Sequence, residues 1–272
     1  MKAVAFFSGI VSWAAAKRAV AKYGAENTTL LFTDTLIEDA DLYRFLREGA
    51  ANIGAPLVWL KDGRTPWQVF DDEGILGNSR MDPCSRVLKR DTAEKWIAAN
   101  CDPMETVLVF GIDWTEDPRF DGDPLPGKTR RRGVKPRYNA LGWPHVEAPM
   151  MEAPYMDRRD ISDWLRREGI ARSRAYDEGF AHDNCGGGCV RAGKGHFAHV
   201  LRVRPTVYAA WEAGEEGFNS KRPGKPFQTI LRDEAFPATV PVSLRQLRER
   251  IEAGGQIDMF DIGGCGCFVD AA

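Results

Sequence analysis

The sequence has no excess of charge of either sign. Its 37 lysines and arginines are balanced by 39 aspartates and glutamates, which leaves a formal net charge of −2 over 272 residues. A global basic field that would attract nucleic acid is therefore excluded, and such a partner would need a local patch. The densest basic run is KTRRRGVKPR at Lys128–Arg137. A binding site for a phosphate backbone and a solvated loop are equally good interpretations of it.

Long apolar segments are also missing. No run is long enough to span a bilayer, and the first residues, MKAVAFFSGI, lack the apolar core and the cleavage site of a secretory signal. We therefore expect a cytoplasmic protein with no membrane partner. In that compartment the six cysteines are expected to be thiols, metal ligands or catalytic groups rather than disulfides.

What the sequence does contain is a regular alternation of apolar strands and helical segments. Strands are predicted at Lys2–Phe7, Thr28–Phe32, the segment PLVWL and Thr106–Phe110, and helices at Trp13–Tyr23, Glu38–Ile53, from Thr65 onward and at Ser85–Asn100. This alternation predicts an α/β fold with a doubly wound parallel sheet that is covered on both faces. Ligands of such sheets bind beyond the carboxyl ends of the strands.

The rest of the chain has a different character. The segment at Asp117–Asn139 is interpreted as a loop because it is rich in proline, glycine and charge, and Ser220–Pro226 is interpreted as a linker. Helices are predicted at Asp157–Glu168, after Cys189 and at Ser243–Ala253. We expect an α/β domain at residues 1–180 and a cysteine-rich C-terminal region of helices and loops at residues 181–272 that packs on it.

The stretch FFSGIVSW predicts a phosphate-binding loop. An apolar strand stops at Ser8 and Gly9, and the chain restarts as a helix. Backbone amides at a helix N-terminus, together with the helix dipole, favour an anion. The amides from Gly9 to Trp13 are expected to hold phosphate oxygens, with the hydroxyls of Ser8 and Ser12 as further donors.

The residue order of this loop resembles the PP-loop of ATP pyrophosphatases and sulfonucleotide reductases, whose usual form is Ser-Gly-Gly-x-x-Ser. Later segments resemble that family's other motifs, in the same order: FTDT, DPCSRVLKR, FGIDWTEDPR, and RRDISDWLRREGI with AYDEGF. With NCGGGCVRAGKGHF and GGCGCF, they resemble a phosphoadenosine phosphosulfate (PAPS) reductase-like group of phages and bacteria. The resemblance implies an adenine nucleotide alpha hydrolase-like fold of the HUP type, with ATP or a related adenine nucleotide and Mg²⁺ as ligands.

Two positions depart from the family pattern. Ile10 stands where the loop usually has its second glycine, and a side chain there is expected to crowd the phosphates or to demand another backbone angle. Asp113 stands where the family usually has an arginine, which counts against PAPS reduction.

The loop, the strand ends and the motifs together define the expected nucleotide-binding residues, which are Ser8, Gly9, Ile10, Val11, Ser12, Trp13, Asp34, Thr35, Arg86, Lys89, Gly111, Asp113, Glu116 and Arg119. Asp34 ends a strand and is expected to bind Mg²⁺ or a ribose hydroxyl. Arg86 and Lys89 lie three residues apart on a helix and suit a pyrophosphate, although an exposed helix face accounts for Lys89 equally well.

The cysteines form two close pairs. Cys185 and Cys189 are joined by three glycines, and Cys265 and Cys267 by one. Thiolates in flexible glycine turns suit a soft metal, so the pairs are expected to share one centre. The hypothesis is a [4Fe–4S] cluster completed by Cys84, with Zn²⁺ as the alternative.

Other roles for the same residues remain open. A zinc ion would take four thiolates, or three thiolates and a histidine such as His182 or His196. Without a metal, the resemblance implies a nucleophilic cysteine on a mobile C-terminal tail. The candidate catalytic thiols are therefore Cys84, Cys265 and Cys267.

Three functions follow from these features. The leading one is an enzyme that attacks the α-phosphate of ATP and transfers sulfur, with a nucleobase of tRNA or DNA as the candidate acceptor. The alternative enzyme is a sulfonucleotide (PAPS) reductase. The third is a non-enzymatic accessory protein that binds a nucleotide or a metal. A homodimer is among the expectations, although the sequence does not determine the oligomeric state.

Overall fold

The fold is built on one parallel β-sheet. The computed structural model describes residues 1–122, 133–234 and 238–263. Five strands form the sheet in the order β3-β2-β1-β4-β5, and every neighbouring pair is parallel. These strands are β1 (Lys2–Phe6), β2 (Thr28–Asp34), β3 (Leu57–Lys61), β4 (Thr106–Val109) and β5 (Val146–Glu147). The predicted doubly wound parallel α/β class is confirmed.

The strand order reverses at β1. Ala3 of β1 lies beside Thr28 of β2 on one side and beside Val107 of β4 on the other. The connections after β1 and β4 therefore diverge from the same point of the sheet, which leaves a crevice between them. In open α/β sheets this switch point, at the carboxyl ends of the strands, is where ligands bind.

Helices follow the strands and continue into the C-terminal region. They are α1 (Ile10–Tyr23), α2 (Ala40–Ile53), α3 (Pro66–Glu73), α4 (Thr92–Asn100), α5 (Asp117–Phe120), α6 (Val134–Ala140), α7 (Arg158–Arg167), α8 (Arg174–Asp177), α9 (Lys194–Val203), α10 (Pro205–Ser220) and α11 (Leu244–Glu252). A π-helical turn at Ser85–Asp91 runs directly into α4. Among the described residues, no helix has the length and apolar character needed to cross a membrane.

Side-chain caps determine where several helices begin. The Thr65 side chain accepts from the amide of Gln68, with Pro66 at the first helical position. Asp157 and Ser243 cap α7 and α11 in the same way, each within a reciprocal capping box. A cap of this type contributes about 1 kcal/mol because it satisfies an amide that the helix leaves unpaired. The predicted starts of α3, α7 and α11 are thereby confirmed.

The apolar residues form separate cores on the two faces of the sheet and in the C-terminal region. Trp13 of α1 and Phe45 of α2 belong to one sheet face, and Tyr138 of α6 belongs to the other. The C-terminal core, which includes Trp211 of α10, also takes in Phe70 of α3. The C-terminal helices therefore pack on the sheet domain through α3.

Several elements differ from the sequence-based expectation. The helix predicted at Ser85–Asn100 is divided into the π-helical turn and α4. α6 lies in the segment interpreted as a loop, and α10 was not predicted at all. A two-stranded antiparallel hairpin, β6 (Leu231–Asp233) with β7 (Val240–Val242), was also missed.

Candidate functional site

A cavity of about 460 Å³ opens at the switch point of the sheet. Its lining includes seven of the expected nucleotide-binding residues: Ser8, Gly9, Val11, Ser12, Gly111, Glu116 and Arg119. The loops after β1 and β4 touch there, since a Cβ added to Gly111 would lie 2.6 Å from Cβ of Ser12. Only a glycine lets the two loops approach this closely, so Gly111 shapes the cavity wall.

The loop after β1 is held by the hydroxyl of Ser12. This oxygen accepts a hydrogen bond from the amide of Ser8 at 2.8 Å and donates to the carbonyl of Gly9 at 2.7 Å. Its proton is therefore used within the loop, and the expected direct donation from Ser12 to a phosphate is replaced by a structural role. Gly9 is the N-cap of α1 and has an extended backbone. The N-terminus of α1, where backbone amides lack partners within the helix, therefore lies at the cavity.

The expectation that Ile10 crowds the phosphates is wrong. Its side chain is 1% exposed and lies in the core beside the sheet, together with Phe7 and Trp13. Ile10 is the first residue of α1, and helical geometry turns it away from the cavity. Trp13 is also buried in the core, and its amide donates to the carbonyl of Gly9 at 3.0 Å, so Trp13 is not available to a phosphate.

The cavity carries three guanidinium groups. Arg119, Arg158 and Arg191 all line it. Arg119 contacts Glu116 at 3.1 Å, while Arg191 contacts Asp82 at 3.3 Å. Guanidinium groups and a helix N-terminus both favour an anion, so this part of the cavity suits a ligand with phosphate or sulfate groups.

A buried carboxylate, that of Asp183, faces the same cavity. The residue is 3% exposed, and neither carboxylate oxygen has a hydrogen-bond partner of good geometry among the described residues. Burial raises the pKa of Asp183 to about 6, although the neighbouring Ser173 hydroxyl opposes the rise. His196 also lines the cavity; burial lowers its pKa, and its Nε2 shares a hydrogen bond of 2.7 Å with the carbonyl of Gly187.

A smaller cavity of about 70 Å³ adjoins the first at the carboxyl ends of β1, β2 and β4. The two cavities share Ser8, Ser12, Gly111, Arg119 and Asn184. The smaller one is walled by the stacked rings of Phe6 and Phe110, whose centroids are 4.4 Å apart, and by the side chains of Thr33 and Lys89. Lys89 is buried, 3.8 Å from Glu38, and lines this smaller cavity, while its contact with a nucleotide stays a prediction.

Asp34 lies outside both cavity linings. One of its oxygens accepts from the amide of Leu36 and from the hydroxyl of Tyr43, each at 2.8 Å. The other accepts from the indole of Trp59 at 3.0 Å. Both oxygens of the carboxylate are thus engaged in the turn after β2, and its expected role as a ligand of Mg²⁺ or ribose stays a prediction.

Three further expected residues also lie away from the cavities. The hydroxyl of Thr35 donates to Glu38 at 2.8 Å. Asp113 caps the turn that follows it by accepting from the amide of Thr115. Arg86 is exposed and pairs with Glu73 at 2.8 Å, so the exposed-helix interpretation describes it better than a pyrophosphate contact.

The glycines between Cys185 and Cys189 are explained by close packing. A Cβ on Gly186 would lie 2.7 Å from the carbonyl of Ile37, and one on Gly188 would overlap the indole of Trp211. Cys185 itself has a left-handed backbone with φ of 56°, and its amide donates to Glu38. The loop is thereby held between α10 and the segment after β2, and it brings Cys189 to the wall of the larger cavity.

The remaining metal candidates are not brought together by the described residues. Cys84 immediately precedes the π-helical turn, packs beside Val69 and Leu88, and lies outside both cavity linings. Cys265 and Cys267 lie outside the described residues, as does the first half of the basic run at Lys128–Arg137. Within the described ranges no group of three or more His, Cys, Asp or Glu residues could hold a metal ion. The shared metal centre stays a prediction.

The chain that leads toward these two cysteines is docked at the cavity. Ile262 and Gly263 line it, and Gly263 forms a β-bridge with Ala192. The amide of Gly193 donates to the carbonyl of Ile262 at 3.0 Å, and the amide of Gly195 donates to that of Asp261 at 2.8 Å. The segment RAGKG, which runs into the first turn of α9, therefore binds the C-terminal backbone.

Several cavity residues were not identified from the sequence. Arg158, Asp183 and Arg191 belong to segments that were quoted for their resemblance or adjoin one, yet they were given no role. One local feature of the sequence could have identified Asp183. In HDNC, polar residues come directly before a glycine-rich turn, and the close packing of such a turn buries its neighbours. Their convergence on the loop after β1 depends on the tertiary fold.

Comparisons with known proteins add one structural likeness. No family model matches the sequence, and no curated protein matches it. A solved structure, the phosphate complex of phosphoadenylyl-sulfate (PAPS) reductase from Candida auris, aligns with 67% of this chain and 79% of its own chain. The identity is 13% and the TM-score 0.41. The strand order and the loop after β1 show a doubly wound parallel α/β fold, and the narrower adenine nucleotide alpha hydrolase-like assignment stays a prediction from the motifs.

Proposed function

We propose that the protein is an adenine-nucleotide enzyme of sulfur chemistry, and that sulfonucleotide reduction is its reaction. The observation that carries this proposal is the composition of the larger cavity. Its lining combines the N-terminus of α1 and three arginines with Cys189 and the docked chain at Ile262–Gly263, two residues before Cys265. An anion and a thiol would thus meet in one space.

The reaction would begin with a cysteine thiolate. It would attack the sulfur of a nucleotide-bound sulfuryl group, the bond from that sulfur to the bridging phosphate oxygen would break, and the nucleotide would leave as a phosphate anion. A dithiol reductant would then attack the S-sulfocysteine, release sulfite and become a disulfide. The helix N-terminus and the arginines would stabilise the departing phosphate.

ATP-dependent sulfur transfer is less well supported by the carboxylates that are available to bind Mg²⁺. Mg²⁺ in nucleotide sites is held by carboxylates together with phosphates, and Asp34 was expected to supply one. Both of its oxygens accept hydrogen bonds within the turn after β2. Glu116 is engaged by Arg119, which leaves less carboxylate available near the phosphate loop. The burial of Ile10, however, removes one objection to ATP, so the two reactions are tested side by side.

The test uses the full chain, purified anaerobically. It is incubated with adenosine 5′-phosphosulfate or PAPS and a thioredoxin or dithiothreitol, and sulfite is measured. In parallel, pyrophosphate release from ATP with Mg²⁺ is measured. Sulfite release that is lost in one of Cys189→Ser, Cys265→Ser or Cys267→Ser, and kept in Cys84→Ser, supports the proposal.

Other outcomes contradict it. Pyrophosphate release without sulfite release would favour ATP-dependent sulfur transfer. Nucleotide binding without either product would favour an accessory protein. Gly9→Val serves as the binding control, because its side chain would press on Tyr176, whose hydroxyl lies 2.8 Å from the position of an added Cβ. Calorimetry should then show lost nucleotide affinity while circular dichroism shows an intact fold.

A further inference from the structure

The guanidinium of Arg191 carries hydrogen-bond donors that the described residues leave open. Its side chain is only 10% exposed and lines the larger cavity. Nη1 donates to a carboxylate oxygen of Asp82 at 3.3 Å. Nε is buried without a hydrogen-bond partner, and Nη2 has no partner among the described residues either. Burying a charged group with open donors is costly, so such a group in a cavity wall indicates a ligand that supplies the acceptors.

The two open donors of Arg191 form one edge of the guanidinium. Nε and Nη2 point in parallel from the same side of the planar group, whereas Nη1 lies outside that edge. Such an edge is the fork with which arginine binds two oxygens of a phosphate, sulfate or carboxylate at once. Asp82 therefore holds the guanidinium in place through Nη1 and leaves the fork available.

The other two arginines of the cavity lining are in different situations. Arg119 contacts the carboxylate of Glu116 at 3.1 Å. Arg158 is exposed, so water can satisfy its donors. Of the three guanidinium groups, that of Arg191 combines burial with an open fork, and its donors are therefore the ones that point to a bound oxyanion.

Arg191 lies on a different chain segment from the loop after β1. It follows Cys189 by two residues, and the next residue, Ala192, forms the β-bridge with Gly263 of the docked C-terminal segment. The N-terminus of α1, which is expected to hold the nucleotide's phosphate, lines the same cavity, and the cavity volume suits a mononucleotide. We propose that the fork of Arg191 binds the terminal oxyanion that is linked to this phosphate, which is the sulfuryl group of a phosphosulfate or the β-phosphoryl group of a diphosphate.

This inference rests on the proposed function and deepens it, because it names a residue that separates nucleotides with a second anionic group from monophosphates. In the proposed reaction Arg191 is a positioning residue that holds the sulfuryl oxygens beside the docked segment. Sulfuryl and β-phosphoryl groups are both tetrahedral with terminal oxygens, so the fork fits either of them. The experiment therefore includes a probe for each.

Calorimetry in EDTA compares adenosine 5′-monophosphate with adenosine 5′-diphosphate. The wild type is expected to bind the diphosphate about 10- to 100-fold more tightly, the range that charge-assisted hydrogen bonds give. Arg191→Lys should bring this ratio close to one and leave the affinity for the monophosphate nearly unchanged, because an ammonium group lacks the two parallel donors of the fork. The variant keeps a cation for Asp82, and thermal unfolding checks its fold. Arg166→Lys, at an exposed arginine of α7, is the matched control and should keep the wild-type ratio.

The sulfite assay with adenosine 5′-phosphosulfate tests the sulfuryl group. Arg191→Lys is expected to lower kcat/KM there by a similar factor of about 10 to 100. Unchanged kcat/KM together with a lost preference for the diphosphate would assign Arg191 to a β-phosphate and contradict its role in sulfonucleotide reduction.

The remaining outcomes separate this inference from the proposed function. If the wild type binds neither calorimetric probe, the nucleotide site itself is wrong, and the proposed function is wrong with it. If the wild type releases no sulfite, the proposed reaction fails, while the ratio of the two affinities still decides the role of Arg191. If Arg191→Lys weakens both probes equally, or leaves their ratio unchanged, Arg191 does not bind the terminal oxyanion although the site stands.

Discussion

Replacement of Gly193 by alanine should release the C-terminal segment from the cavity while the rest of the fold stays intact. A Cβ at this position would lie 2.6 Å from Cγ of Asp261 and closer still to its oxygens, and backbone atoms cannot simply move aside. The segment is held by the amides of Gly193, Lys194 and Gly195, and by the ammonium of Lys194 at 3.1 Å from Asp261. At about 0.5–1.5 kcal/mol for each of these four contacts, the docking that is lost amounts to about 2–6 kcal/mol.

Hydrogen exchange measures this loss directly. The amides of Lys194 and Gly195 belong to the first turn of α9 and have no partner within the helix, so their protection reports the docked segment alone. Their exchange should accelerate by roughly 30- to 20,000-fold in Gly193→Ala. The amide of Phe197, which donates to the carbonyl of residue 193 at 3.1 Å, should stay protected.

The matched control for this variant is Gly217→Ala. Gly217 lies within α10, and no atom lies within 4 Å of its added Cβ, so the change should stabilise the helix by up to about 1 kcal/mol and leave exchange in α9 unchanged. Equal protection of Lys194 and Gly195 in wild type and Gly193→Ala would refute the docking. Faster exchange at Phe197 as well would mean that α9 itself had unfolded.

Three further changes test other parts of the structure. Burial raises the pKa of Glu215 to about 7 in the folded protein, so the stability that its protonated form contributes is complete below the unfolded-state pKa of about 4.5 and is lost as the pH rises through 7. Urea unfolding should therefore give a free energy of unfolding about 2–4 kcal/mol lower at pH 8 than at pH 5, and this difference should be smaller in Glu215→Gln. Ser12→Ala should weaken nucleotide binding and cost about 1–2 kcal/mol, unlike Ser8→Ala, and equal unfolding midpoints would contradict the loop geometry. Gly188→Ala should lower the melting temperature sharply because its Cβ would overlap Trp211, and an unchanged transition would argue against that packing.

The parts of the fold that follow from local sequence were predictable. The central strands are continuous apolar runs because both faces of the sheet are covered, and the caps at Thr65 and Asp157 act on amides two or three residues away. By contrast, β5 consists of Val146 and Glu147 alone, which is too short for a periodic pattern. α10 was hidden because Gly214 and Gly217 interrupt it; the first of these is there to let the indole of Trp67 approach.

The candidate site, like the fold, was predictable from the sequence only in part. The phosphate loop could be located because a strand, a turn and a helix are consecutive in the chain. The direction of an individual side chain could not, since Ile10 belongs to the loop by sequence and to the core by helical phase. Asp34 illustrates the same limit: it does end a strand, but Tyr43 and Trp59, which are distant in sequence, occupy its oxygens.

The two glycine-rich motifs of the C-terminal region have related structural consequences. The run after Cys185 lets the backbone pass closely under Trp211, and RAGKG lets the segment at residues 258–263 lie on the N-terminus of α9. Both surfaces belong to one apolar core, which is anchored on α3 and therefore on the sheet domain. That core brings Cys189 and Gly263 to the same cavity as the loop after β1, although these residues are far apart in the chain. Since glycine has no side chain to hold such a turn, the rigidity must come from α9 and α10, and substitutions in those helices are expected to disturb the cavity from outside its walls.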